Sequence, residues 1–301
     1  IIKTFEFNDF EKEEYSSKYI SGDRDAKWLA DIEFLSEQLP KKHKNLFFKV
    51  EKEDFLNNVR SIKEKIPSLT DDEMIVEVSK LLASVGDAHT SFSFDTKGKY
   101  PFVYYHFNDG IYIIDSLPEY SEFIGYKLIG INEKSIEEIR KLFRPVISHE
   151  NEAWFKNRFA GYLVFPEFLN GLNITDSETA KFILMDNNGN KKSVEVKARP
   201  FKKRDLVNRN IDKSERMLYL KNSDKNYWHE FLEDDKLLYF QYNVCYNMKG
   251  KSFLDFNKEL FDFIDNNPIN KLVIDLRNNR GGSTPVLDPF FVEFKKESSD
   301  S

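Results

Sequence analysis

The residues best suited to chemistry lie in two stretches far apart in the chain. One is Leu272-Val273-Ile274-Asp275-Leu276-Arg277-Asn278-Asn279-Arg280-Gly281-Gly282. Four apolar residues around one Asp predict a strand buried on both faces, as inside a parallel sheet. The strand runs into a polar turn that ends in two glycines. Pro285 then opens a predicted helix, with Val286, Leu287, Phe290, Phe291 and Phe294 at helical spacing. That order leaves the amides of Gly281, Gly282 and Ser283 unpaired and aimed one way, where they would stabilise an oxyanion or hold a carboxylate. Two residues without side chains also let a substrate backbone come close. The other stretch is Gly86-Asp87-Ala88-His89-Thr90-Ser91-Phe92. A histidine just beyond a helix end, with a carboxylate two residues before it, is predicted to be exposed and oriented for proton exchange.

The elements that must position these residues are legible as patterns. A polar arm, residues 1 to about 23, is expected to pack on the body. From Asp25, Trp28, Leu29, Ile32, Leu35 and Leu39 share a helix face, and Pro40 is expected to end the helix. A second helix carries Phe55, Leu56, Val59, Ile62 and Ile66 and stops at Pro67. A third opens on the capping box Thr70-Asp71-Asp72-Glu73 and ends at Gly86, placed as a left-handed cap. A short strand, Ser91 to Phe94, follows the histidine. Residues 100 to 200 read as mainly β. Hairpins turn at Asn108-Asp109-Gly110 and at Asp186-Asn187-Asn188-Gly189-Asn190. A strand runs from Gly125 to Asn132, and a helix from Ser135 to Phe143. His149-Glu150-Asn151-Glu152 reads as a helix start with acids near its positive end. Arg199 to Arg216 is a charged linker. Beyond it, a strand at Leu237 to Phe240, a helix with Phe253, Phe256, Leu260, Phe263 and Ile264, and the strand before the glycines make a βαβ unit, so its strands should be parallel. Asp275 inside its strand needs a partner. Arg277 is too near along the strand to face it, so the glycine-turn amides are the expected source.

Both chemical stretches resemble one family. Asp-Leu-Arg-Asn-Asn-x-Gly-Gly after an apolar strand is similar to the signature of the C-terminal (tail-specific) processing and tricorn-core serine peptidases. Gly-Asp-x-His-Thr after a helical region is similar to the turn carrying their histidine. The resemblance implies that Gly281 and Gly282 supply part of an oxyanion hole. It implies His89 as general base if the tricorn-like branch applies, whereas the processing branch uses a lysine. Arg280 stands where the family usually has Pro or Gly, which bears on access. Ala88 stands where tricorn has Ser, so an orienting hydroxyl would come from elsewhere. Gly125-Tyr126-Lys127-Leu128-Ile129-Gly130-Ile131-Asn132 resembles part of a PDZ domain, with Tyr126 and Glu133 departing from its usual Asp and Gly. A module of that kind takes an extended peptide by strand addition.

The implied architecture is multidomain α+β, and the resemblance runs from about Asp25 to Lys296. Residues 1–95 would be the arm and an N-terminal helical domain ending in the histidine turn. Residues 96–200 would be a PDZ-like β-rich module, and residues 201–301 part of a crotonase-like α/β peptidase core. The family's nucleophilic serine lies one strand and helix further on. The chain is therefore expected to hold no nucleophile and to be inactive alone. Ser283 is expected to cap a helix, and Ser298, Ser299 and Ser301 lie in a polar tail. The alternative is a non-catalytic protein on the same scaffold, binding a peptide or an apolar ligand.

Composition narrows the classes. Hydrophobic residues make up 40% of the 301, with 28 Phe and 14 Tyr, enough for sizeable cores. A net charge of −6 and only a short basic run, Lys202-Lys203-Arg204, argue against a nucleic-acid partner. No run is long and apolar enough to span a membrane. The single cysteine, Cys245, excludes an internal disulfide and reads as a small buried residue. His43, His89, His106, His149 and His229 show no metal-ligand spacing, and no metal or cofactor is expected. The expected partner is a peptide or protein substrate. The chain opens Ile1-Ile2-Lys3 without a methionine, which suggests a processed or trimmed form. Resemblance points to an extracellular or cell-envelope location, with the cytoplasm as the alternative.

Overall fold

A computed structural model describes residues 2–6, 12–14, 21–207 and 217–299. The chain forms two compact units, Ile1–Asn210 and Ile211–Ser301.

The first unit begins with strands β1 (Ile2–Glu6) and β2 (Lys12–Glu14); the rest of the predicted arm before residue 21 lies outside the described residues. Helix α1 (Arg24–Lys42) is capped by Asp23, whose carboxylate accepts the Ala26 amide at 3.0 Å, and it buries Trp28, Ile32, Leu35 and Leu39 completely. Pro40 does not end α1. It sits in the last turn and forfeits one helix hydrogen bond, yet the chain stays helical to Lys42 and the His43 amide closes the helix on Leu39. Helix α2 (Lys52–Lys65) buries Phe55, Val59 and Ile62 and passes into a single 3₁₀ turn containing Pro67. Helix α3 (Asp71–Val85) opens on the capping box of Thr70 and Glu73 and closes on Gly86 at φ +74°.

Strand β3 (Ser91–Phe94) leaves the histidine turn and pairs antiparallel with β1. A larger antiparallel sheet has the order β4 (Phe102–Phe107), β5 (Gly110–Ser116), β6 (Lys127–Ile131), β8 (Thr179–Met185), β9 (Lys191–Lys197), with β7 (Lys134–Ser135) against β6. Both predicted hairpins are present. Helix α4 (Ile136–Phe143) has Ser135 and Glu138 as its capping box, and α5 (Glu152–Tyr162) is capped by Asn151. A short helix α6 (Pro166–Gly171) packs on α3. Its Gly171 is needed there, because a Cβ would lie 2.3 Å from the Asp72 carbonyl oxygen. The helices and the sheet share one hydrophobic core that includes Trp28, Phe55, Tyr100, Phe143, Phe159 and Phe182.

In the second unit, strands β10 (Tyr227–Leu232) and β11 (Leu237–Tyr242) form a hairpin. Helix α7 (Phe253–Asn266) crosses over to β12 (Lys271–Asp275), which lies parallel to β11 with Gln241 opposite Asp275. This is the predicted βαβ unit. Phe240, Tyr242, Phe253, Phe256, Leu260 and Phe290 form its core.

Three expectations fail here. Strand β12 is not buried on both faces. It has a neighbour on one side only among the described residues, and Val273 and Ile274 are 38% and 43% exposed. The predicted helix does not start at Pro285. Thr284–Leu287 form a 3₁₀ turn, and α8 (Asp288–Ser299) follows; Ser283 precedes that turn without a side-chain capping bond.

Candidate functional site

Asp87 organises the turn after α3. Its Oδ1 accepts the His89 amide at 3.0 Å, which tightens the turn, and its Oδ2 accepts the Thr90 hydroxyl at 2.7 Å. The same Oδ2 lies 3.0 Å from His43 Nε2. The Asn45 amide donates to His43 Nδ1 at 3.1 Å, so Nδ1 accepts and the proton on Nε2 points to Asp87. Partial burial pushes the Asp87 carboxyl up, but the bonds from the His89 amide, Thr90 and His43 outweigh it and hold the group below its ordinary range. Two further contacts arrive from residues 148–150. The Ser148 hydroxyl donates to the Asp87 carbonyl at 2.6 Å, and the Ala88 amide donates to Glu150 Oε1 at 3.3 Å.

None of this bonding among the described residues reaches the His89 ring nitrogens by a hydrogen bond. The side chain is 59% exposed, and its Nδ1 stands 3.6 Å from Asp87 Oδ1, beyond hydrogen-bond range. Its ring lies 6.0 Å from that of Trp154 on α5. The hydroxyl nearest in sequence, Thr90, is bound to Asp87 rather than to the imidazole. Sequence reasoning placed His89 and Asp87 but missed His43, Ser148, Glu150 and Trp154. These come from 44 to 67 residues away along the chain, and nothing local marks them.

The glycine turn of the second unit is held differently. Gly281 and Gly282 have φ of +82° and +122°. Asn279 is the hub. Its Oδ1 accepts the Gly281 amide at 2.8 Å, and its Nδ2 donates to the Tyr242 carbonyl at 3.0 Å. The Cys245 thiol is buried and donates to the same Oδ1 at 3.7 Å. A backbone bridge completes the turn, with the Cys245 amide on the Gly281 carbonyl and the Ser283 amide on the Cys245 carbonyl. The expectation of three free amides is therefore corrected. Those of Gly281 and Ser283 are spent within the chain, because the turn folds back on Cys245. Gly282 keeps its amide without a partner among the described residues. A Cβ on Gly282 would lie 2.8 Å from the Cys245 carbonyl oxygen, so only glycine fits there.

Asp275, at the end of β12, corrects another expectation. Its partners are the Tyr239 hydroxyl at 2.6 Å, the Arg277 amide at 2.9 Å and the Arg277 guanidinium. The strand ends at Asp275, so Arg277 is free of the pleat and folds back onto the carboxylate, its guanidinium over the Tyr219 ring. These bonds hold the Asp275 carboxyl down at about 2, chiefly through the Arg277 side chain.

His89 and the glycine pair thus belong to different units. Among the described residues, no helix is long and apolar enough to cross a membrane.

No protein-family model matches the chain, and no curated protein does. Solved structures of CPAF, a chlamydial protein, do match. Mature CPAF complexed with lactacystin superposes with a TM-score of 0.59 at 17% identity, over 87% of this chain and 58% of that one. Mature CPAF gives 0.58 at 17% identity, over 86% and 56%. A CPAF serine-to-alanine mutant gives 0.60 at 16% identity, over 87% and 57%. The chain therefore spans less than three fifths of the CPAF chains that it matches, and across nearly all of its own length it has their fold.

Proposed function

We propose that the chain is part of a serine-type peptidase of the tail-processing or tricorn-core kind, acting on extended peptides. The observation that carries this reading is the likeness of fold to CPAF, a serine protease, over 87% of the chain. The histidine turn and the glycine turn are consistent with it. In this reading His89, exposed and unbonded at its ring nitrogens, takes the proton of a serine nucleophile. The Gly282 amide, with Gly281 shaping the turn, faces the oxyanion of the tetrahedral intermediate. The larger sheet of the first unit would belong to a PDZ-like module that holds the peptide. None of the 301 residues is assigned as the nucleophile, so the chain by itself is expected to cleave nothing.

The test begins with the coding sequence beyond Ser301. A strand followed by a serine in a small-residue turn favours the peptidase; a stop codon counts against it. A protein carrying that serine should cleave unstructured peptides and lose the activity on His89→Ala. Cleavage that survives His89→Ala removes His89 from the mechanism. Cleavage by the 301 residues alone, lost on His89→Ala, would refute the expected inactivity.

A second reading, a binding protein without chemistry, is favoured by one feature. An open groove of about 440 Å³ on β4 and β5 is lined by Phe107, Tyr112, Ile113, Ile114 and Ile124. Binding of apolar peptides by the chain, weakened by Phe107→Ser and with no hydrolysis by any longer form, would support it.

A further inference from the structure

Asp87, His89 and Glu150 each offer a ligand atom, and these atoms lie within 4.8 Å of one another. We propose that the three form a binding site for a single divalent ion of the zinc type. The site goes beyond the peptidase reading and does not depend on it. Zinc bonds to imidazole nitrogen and carboxylate oxygen are about 2.0–2.2 Å long, so two ligands on one tetrahedral ion stand about 3.4 Å apart. A small rotation of the exposed Glu150 and His89 side chains closes that difference. Neither ring nitrogen of His89 makes a hydrogen bond among the described residues, so a lone pair is available. The donor set is one imidazole and two carboxylates with no thiolate, which suits zinc, cobalt or manganese rather than cuprous copper.

Support from outside the three ligands distinguishes this group from a chance meeting of surface acids. His43 Nε2 and the Thr90 hydroxyl both hold Asp87 Oδ2, and the Asn45 amide fixes the His43 tautomer. Outer partners that lock a ligating carboxylate in this way are a regular part of metal sites. His43 is nearly buried, so it serves as an orienting group and not as a ligand. Three protein ligands on an exposed turn leave coordination positions open to water. An imidazole held by a metal cannot accept a proton, so His89 is unavailable as a general base while the ion is bound and available again in the metal-free chain.

The experiment is calorimetric titration of the 301-residue chain with Zn²⁺, paired with Co²⁺ titration followed by visible absorption and tryptophan fluorescence. One ion per chain is expected. Co²⁺ should quench the fluorescence of Trp154, whose ring lies beside His89, and Trp154→Phe should remove that part of the signal. His89→Ala should weaken Zn²⁺ binding by at least about 100-fold and Glu150→Gln by about tenfold, while Thr90→Val, acting through Asp87, should cost about 10-fold. Circular dichroism should show each variant folded. No binding at millimolar Zn²⁺, binding untouched by His89→Ala, or binding that Glu150→Gln leaves unchanged would each overturn the three-ligand site. None of these readouts involves hydrolysis, so a chain that binds no metal leaves the peptidase reading as it stood.

Discussion

The histidine turn and the glycine turn solve opposite problems with similar means. In the first, a carboxylate gathers the donors of His43, Thr90 and the His89 backbone, and a side chain is left standing free. In the second, a carboxamide and the backbone of Cys245 gather the turn's own amides, and a main-chain group is left free. The turn that presents an imidazole fixes its backbone by side-chain bonds. The turn that presents an amide must remove side chains, and it uses glycine at two positive φ angles. What each turn offers is whatever its own bonding leaves over.

If this contrast holds, substitutions should separate the two turns. The largest effect should come from Gly282→Ala, where a clash with the Cys245 carbonyl adds to a φ that L-residues avoid. A loss of about 3 kcal/mol is expected in urea unfolding of the second unit. Gly281→Ala meets nothing within 4 Å and should cost only its backbone strain, about 1–2 kcal/mol. Equal losses at the two positions would mean that the Cys245 bridge does not constrain the turn.

Next comes Asp87→Ala, which strands the His43 N–H, the Thr90 hydroxyl and the His89 amide. About 2 kcal/mol of thermal stability should go with it. An unchanged melting temperature would show that the carboxylate is not the hub.

A subtler comparison uses pH. The folded Asp275 carboxyl lies at about 2, below its ordinary value of 3.8. A lowered acid stabilises the fold above the unfolded value, and that contribution is lost as pH falls through the folded one. The urea midpoint of the second unit should therefore drop between about pH 4 and pH 2. In Asp275→Asn this part of the slope should disappear; an identical slope would assign the acid sensitivity elsewhere.

The smallest effect is expected at the residue proposed as general base. His89→Ala should change stability by less than about 0.5 kcal/mol, since its ring is exposed and unbonded. A larger loss in thermal unfolding would mean that His89 braces the turn and is not merely presented by it.

The sequence showed much of what was local, although Pro40 and Ser283 did not act as the helix stop and cap that short-range rules predict. The capping box at Thr70, the left-handed Gly86, both hairpin turns and the parallel pairing of β11 and β12 follow from short-range rules about caps, turns and crossovers. It misled where an outcome depended on neighbours distant in sequence. The apolar run Leu272 to Ile274 has the composition of a central strand, but composition does not count neighbours, and among the described residues the strand has one. Arg277 looked too close to Asp275 because the strand was assumed to continue. The strand stops at Asp275, and the geometry changes with it. His43 and Glu150 reach the histidine turn from 44 and 63 residues before and after Asp87, distances at which only the folded chain brings them together.

The open side of β12 also bears on how this protein behaves in a tube. From Lys271 to Asp275, peptide groups facing away from β11 form a ladder with no rung opposite among the described residues, flanked by the half-bare side chains of Val273 and Ile274. Such a ladder is a template on which a second molecule can lay a strand. Concentrated samples of the 301-residue chain by itself should therefore self-associate through this rim, and Val273→Lys, adding charge where a visitor would dock, should keep them dispersed.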